Sequence, residues 1–113
     1  MTSTAETAGQ LFSAVHNNLR GAIEGMEDEA LNWSPGPEMN SAAVLVTHTL
    51  ASERDTYYLV RGLTADRDRD AEFAVAGATR DELLAALDRA DTELAEQIGA
   101  ITDDDLAATR ERP

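Results

Sequence analysis

Three long segments of this chain repeat apolar residues at intervals of three and four, and that periodicity restricts the fold more than any other feature. At about 100° per residue such spacing draws one apolar stripe along a helix, and the stripe must be covered by another element. The first segment runs from Ser3 to about Met26 and carries Phe12, Val15, Leu19, Ala22, Ile23 and Met26. Ser3 and Glu6 have the spacing of a capping box, and Gly25 loosens the far end. In the second, Asn40 and Ser41 offer caps and Gly62 a stop after about Arg61. Its apolar residues lie most of the way round, with Val44, Leu45, Ala51, Tyr58 and Leu59 on one side and Val46, Leu50, Tyr57 and Val60 on the other, the pattern of a heavily covered helix. The third starts at the capping box Thr79–Glu82 and carries Leu83, Leu87, Ala90, Leu94, Ile98 and Ile101. Thr102 and three aspartates then cap one last short turn with Leu106. Three helices of about 20 residues, each near 30 Å long, predict an all-α, up-down-up bundle.

The connections are punctuated as loops. Glu27 to Asn40 holds Asn32, Ser34, Pro35, Gly36 and Pro37, which end helices and force turns, and Trp33 within it is expected to plug one end of the core. Residues 63 to 78 hold Asp66-Arg67-Asp68-Arg69-Asp70, whose alternating signs read as a solvated loop, pinned by Phe73 and Val75.

A length of 113 residues suits one domain, residues 1–113, and is too short for two cores. Nine basic against 22 acidic side chains give a net charge of −13, a field that repels phosphate backbones and anionic lipid, so nucleic acid and membrane surfaces are poor partners. No apolar run approaches the roughly 18 residues needed to cross a bilayer. The start MTSTAETAGQ has neither a cationic region nor an apolar stretch, so a signal peptide is not expected. The absence of cysteine excludes disulfides, thiolate metal sites and a cysteine nucleophile, and fits a reducing cytoplasm. Every basic residue is arginine and alanine is abundant, the codon habit of a GC-rich genome.

Motifs for nucleophilic or nucleotide-dependent chemistry are missing: there is no GxSxG elbow, P-loop or dinucleotide fingerprint. Neither of the two histidines has a HExxH or HxxxH partner. His48 falls about 40° from Val44 and 20° from Leu59 around its helix, which turns it toward another helix. Glu53 stands about 140° away from it, and Asp55 shares its face about 10 Å further along the axis, so neither grips one ion with it; Ser52 would only orient the ring. His16 lies between Phe12 and Ile23, and Asp91 between Leu87 and Leu94. Counted from a bundle end shared by Ser3, Arg61 and Thr79, His16 and His48 stand about 20 Å up and Asp91 about 18 Å. The three either form a polar layer able to hold a divalent metal with open positions or are separately hydrogen-bonded boundary residues.

The segment LNWSPGPEMNSAAVLVTHTLASERD, Leu31 to Asp55, resembles the DinB-like (DinB/YfiT) superfamily in its Trp/Pro loop, its small polar cap and a helix ending in L-x-x-H-x-x-x-x-E. The turn Gly25–Glu29 and the helix start at Thr79 extend the likeness. The resemblance implies a four-helix bundle that binds a divalent metal, of the zinc or nickel type, through three histidines, the first matched by His48 and the other two in a fourth helix. The chain reaches Pro113 where that helix would begin, so the reading is a truncated bundle with His48 as metal ligand and His16 and Asp91 as possible substitutes. Relatives include metal-dependent enzymes that use a low-molecular-weight thiol, mycothiol or bacillithiol, as nucleophile. In an actinobacterium the co-substrate would be mycothiol, used against a small electrophile in detoxification. The alternative is a non-catalytic helical module that forms a homodimer, or binds another protein, through the groove left by the absent helix.

Overall fold

A computed structural model describes residues 3–111; Met1, Thr2, Arg112 and Pro113, the outer ends of the expected domain, lie outside the described residues. The three predicted helices are present as α1 (Thr4–Ile23), α3 (Ala42–Val60) and α5 (Arg80–Ala100). Three short helices stand between and after them: α2 (Asp28–Leu31), α4 (Arg69–Phe73) and α6 (Asp103–Ala107). No strand occurs among the described residues. The predicted caps hold. Ser3, Ser41 and Thr79 accept from the backbone N–H groups of Glu6, Val44 and Glu82, each satisfying a donor the first turn leaves unpaired. Thr102 and Asp105 close a full capping box on α6. Gly62 ends α3 at φ 72°, a left-handed conformation that favours glycine.

The direction of α5 differs from the up-down-up expectation. Contacts between α1 and α5 run in opposite senses along the two helices. Gly9 approaches Ile98, Arg20 pairs with Asp88 at 2.9 Å, and the Arg80 side chain reaches the Glu24 carbonyl. Between α3 and α5 they run in the same sense, with Val46 beside Leu83, Arg54 on Glu93 and Arg61 on Gln97. Hence α3 and α5 are parallel, both antiparallel to α1, and the bundle is up-down-down. Parallel neighbours require a long crossover, and residues 61–79 supply it by returning along α3, with α4 packed on that helix.

The crossover and the first loop are stapled together where α5 starts. The Asn32 amide donates to the Ala78 carbonyl at 2.7 Å and its oxygen accepts from Ala78 N–H at 3.0 Å, while Asp28 accepts from Arg80 N–H. The core lies at this same end, where Ile23, Leu31, Ala43, Val46, Leu83 and Leu87 are buried together. Leu31 is the residue of the first loop that fills the core. Trp33 does not plug it: its side chain stays 64% exposed, because the turn at Asn32 carries the chain outward. No helix among the described residues is long and apolar enough to cross a membrane.

Candidate functional site: a carboxylate-held imidazole beside the crossover

The fold produces two polar clusters, one on the bundle axis and one on its flank. On the axis, His16 is fully buried between two acids from the other two long helices. Its Nδ1 lies 2.6 Å from Asp91 Oδ1 and its Nε2 2.8 Å from Glu53 Oε2. Arg20 adds a charge-assisted bond to the other oxygen of Asp91. Of the three residues expected either as one layer or as separate boundary residues, His16 and Asp91 meet each other although α5 runs the other way. Asp91 sits near the middle of its helix, so reversing the helix leaves it at mid-height.

Glu53 is the member of this cluster that sequence reasoning misses. Its angle from His48 rules out a shared ion but leaves open what the opposite side of the helix faces. A signal exists: Val46, Leu50, Glu53 and Tyr57 lie at spacings of four, three and four, which places the carboxyl on a buried stripe. Burial pushes the Glu53 carboxyl above its ordinary range, against the hydrogen bond and charge of His16, while Asp91 adds a further upward push. Glu53 Oε1 is buried with no hydrogen-bond partner among the described residues. Burial also works upward on Asp91, but hydrogen bonds from His16 and Arg20 outweigh it and hold that carboxyl below the usual range. The imidazole can donate to both acids as a cation, or as a neutral ring donate to Asp91 and accept from a protonated Glu53. The opposite shifts make Glu53 the more readily protonated of the two acids. With His16 only 1% exposed, this cluster joins three helices with its ring closed off from a ligand, and only Asp91 at its edge is partly exposed.

The second cluster lies between α3 and the crossover. His48 faces α4, with the Phe73 ring 4.9 Å away and Nδ1 3.0 Å from Glu72 Oε1. Glu72 is buried, held at 2.8 and 3.0 Å by the Arg67 guanidinium, and that pairing, with a further contribution from His48, keeps its carboxyl below the ordinary range despite burial. An Arg67 nitrogen also stands 3.4 Å from His48 Nδ1. That ring nitrogen cannot both donate to Glu72 and accept from Arg67; the shorter contact, to an acceptor-only carboxylate, assigns the proton to Nδ1. Nε2 then carries the lone pair, and it has no partner among the described residues. The charge run is solvated as expected at Asp66, Asp68, Arg69 and Asp70, but it is also a built element: Asp68 caps α4, and Arg67 ties α4 to α3 through Glu72 and Asp55.

Beside His48 opens a cavity of about 490 Å³, within the range of small-molecule sites, whose walls include Ser52, Asp55, Leu59, Arg67 and Arg69. The structure does not bring His48 to His16 and Asp91. Nor does the donor set make a three-ligand metal centre. Both nitrogens of His16 are occupied by carboxylates, and no group of three His, Cys, Asp or Glu side chains among the described residues is placed to hold one metal ion.

What these observations define is an all-α bundle with parallel α3 and α5, a crossover carrying a short helix, and a histidine of α3 at a flank cavity. The chain matches the DinB superfamily over residues 11–113 and belongs to it. No curated protein and no solved structure matches it.

Proposed function

We propose that this DinB-superfamily chain is a thiol S-transferase of the detoxification type, with His48 as the base that activates a low-molecular-weight thiol such as mycothiol. The observation that supports the reading is the Glu72 contact at Nδ1, which orients a ring that lines the cavity and leaves the lone pair on Nε2. His48 takes the proton from the thiol. The sulfur then bonds to an electrophilic carbon, the leaving group departs with the electron pair, and the proton passes from Nε2 to solvent. Glu72 stabilises the imidazolium that forms, and Arg67 holds Glu72 in place.

The test is the rate of conjugation between mycothiol and an alkyl iodide, wild type against His48→Ala. A loss of about 10²-fold, the lower range of general-base contributions, is expected. A wild-type rate equal to that in buffer removes the reading. Metal analysis of protein purified without chelator accompanies it: stoichiometric zinc or nickel, absent from His48→Ala, would assign the same nitrogen to a metal instead of a proton.

A second reading is a helical module that pairs with another copy. It is supported by an open groove of about 240 Å³ between α3 and α5, lined by Val46, Leu50, Ala86 and Ala90 among others. A strict monomer by light scattering at high micromolar concentration removes it.

A further inference from the structure

Basic side chains are outnumbered 22 to nine by acidic ones, and six of the eight arginines among the described residues are engaged. Arg20, Arg54, Arg67 and Arg110 pair with carboxylates, Arg61 bonds Gln97, and Arg80 bonds the carbonyl oxygens of Glu24 and Met26. Among the described residues that leaves Arg69 and Arg89 without an ion pair or a hydrogen bond. Arg89 is exposed and lines the groove between α3 and α5, not the His48 cavity. Arg69 is exposed and lies on the wall of the His48 cavity.

The rest of that wall is rich in donors. Ser52 and Thr64 contribute hydroxyls, and Leu59 and Leu63 contribute an apolar side. Its one carboxylate, Asp55, is already bonded to Arg67, whose charge is in turn committed to Glu72. Among the described residues the uncommitted charge of the cavity is therefore the Arg69 guanidinium, set in a protein whose net charge of −13 otherwise repels anions. A guanidinium matches a carboxylate in a planar, two-pronged geometry.

We infer that the cavity selects an electrophile carrying a carboxylate, with Arg69 as the specificity-determining residue that anchors the anion while His48 serves the thiol. The inference rests on the thiol-transfer reading for the chemistry, though not for the binding. The carboxylate binds without covalent change. The bond formed is still sulfur to carbon, and the leaving group carries away the electron pair.

The test compares iodoacetate with iodoacetamide, which share the reacting carbon and leaving iodide and differ in charge. Each enzyme rate is divided by its uncatalysed rate, giving an acetate-to-acetamide preference. Arg69→Gln is expected to lower that preference about fivefold, the scale of one partly solvated ion pair, and Arg69→Lys to restore part of it. Arg89→Gln, which changes the net charge equally, serves as the control and leaves the preference as it is. In parallel, succinate is titrated into the protein and the His48 ring resonances are followed by NMR. Saturable shifts that weaken in Arg69→Gln support the anion site even where conjugation is absent, a result that would remove only the transfer chemistry. Conjugation without preference for iodoacetate, or succinate shifts that are absent or unchanged in Arg69→Gln, overturns the assignment of Arg69 and leaves the thiol-transfer reading standing.

Discussion

His16 and His48 are the same side chain in two opposite situations. Each has a carboxylate at Nδ1, but His16 has a second acid at Nε2 and is sealed inside three helices, whereas the Nε2 of His48 faces no protein partner among the described residues and its side chain keeps 31% exposure. The first arrangement uses both nitrogens to hold elements together. In the second, one nitrogen is used for orientation and the other is left for chemistry. A single uncommitted nitrogen on an oriented ring thus marks the candidate site more clearly than burial or charge does.

The contrast is sharpest in the effect of deleting each ring. His16→Ala strands the buried Glu53 and is expected to cost about 3–5 kcal/mol of unfolding free energy, read from urea denaturation. His48→Ala is expected to cost less than about 1 kcal/mol, since its pair is partly solvated, while removing conjugation activity. Equal stability losses in the two variants would break the distinction between an architectural and a reactive histidine.

The acids beside the rings separate by the sign of their pH dependence. Glu53 sits above its ordinary value of 4.5, so the stability tied to it is full below that value and falls as pH rises through the folded one. Glu72 lies below 4.5 and behaves oppositely, contributing above 4.5 and losing its contribution as pH falls through the folded value. Melting temperatures against pH should therefore flatten above pH 4.5 in Glu53→Gln and below it in Glu72→Gln. Curves that flatten on the same side for both would overturn the two-environment description.

The smallest expected effect is at Trp33. Trp33→Ala should change stability by no more than about 0.5 kcal/mol, as for other surface positions, and wild-type fluorescence should be readily quenched by acrylamide. A larger loss would restore the core-plug role that the loop composition suggests.

Much of the flank site is legible in the amino-acid order alone. His48 stands out from its motif, and helical geometry makes Asp55 and Ser52 its neighbours without letting either grip an ion with it. Glu72, its actual partner, stays hidden, because it lies 24 residues away in a charged stretch where nothing periodic marks a buried acid. Phe73 and Val75 are both legible as pins on the crossover; Val75 packs against the core, and Phe73 stacks on His48.

By itself the sequence determined three helices, their caps, most of their buried faces and the family, since each depends on local spacing along the chain; Val15, Ala22 and Leu45, expected on covered faces, are exposed. Whether α5 runs with α3 or against it was decided only in three dimensions. An apolar stripe reads the same from either end, so periodicity carries no direction. Direction came from the staples at Asn32 and Asp28 and from the crossover that returns along α3. The same return brings Glu72 onto the ring of His48, so what oriented a lone imidazole was tertiary structure.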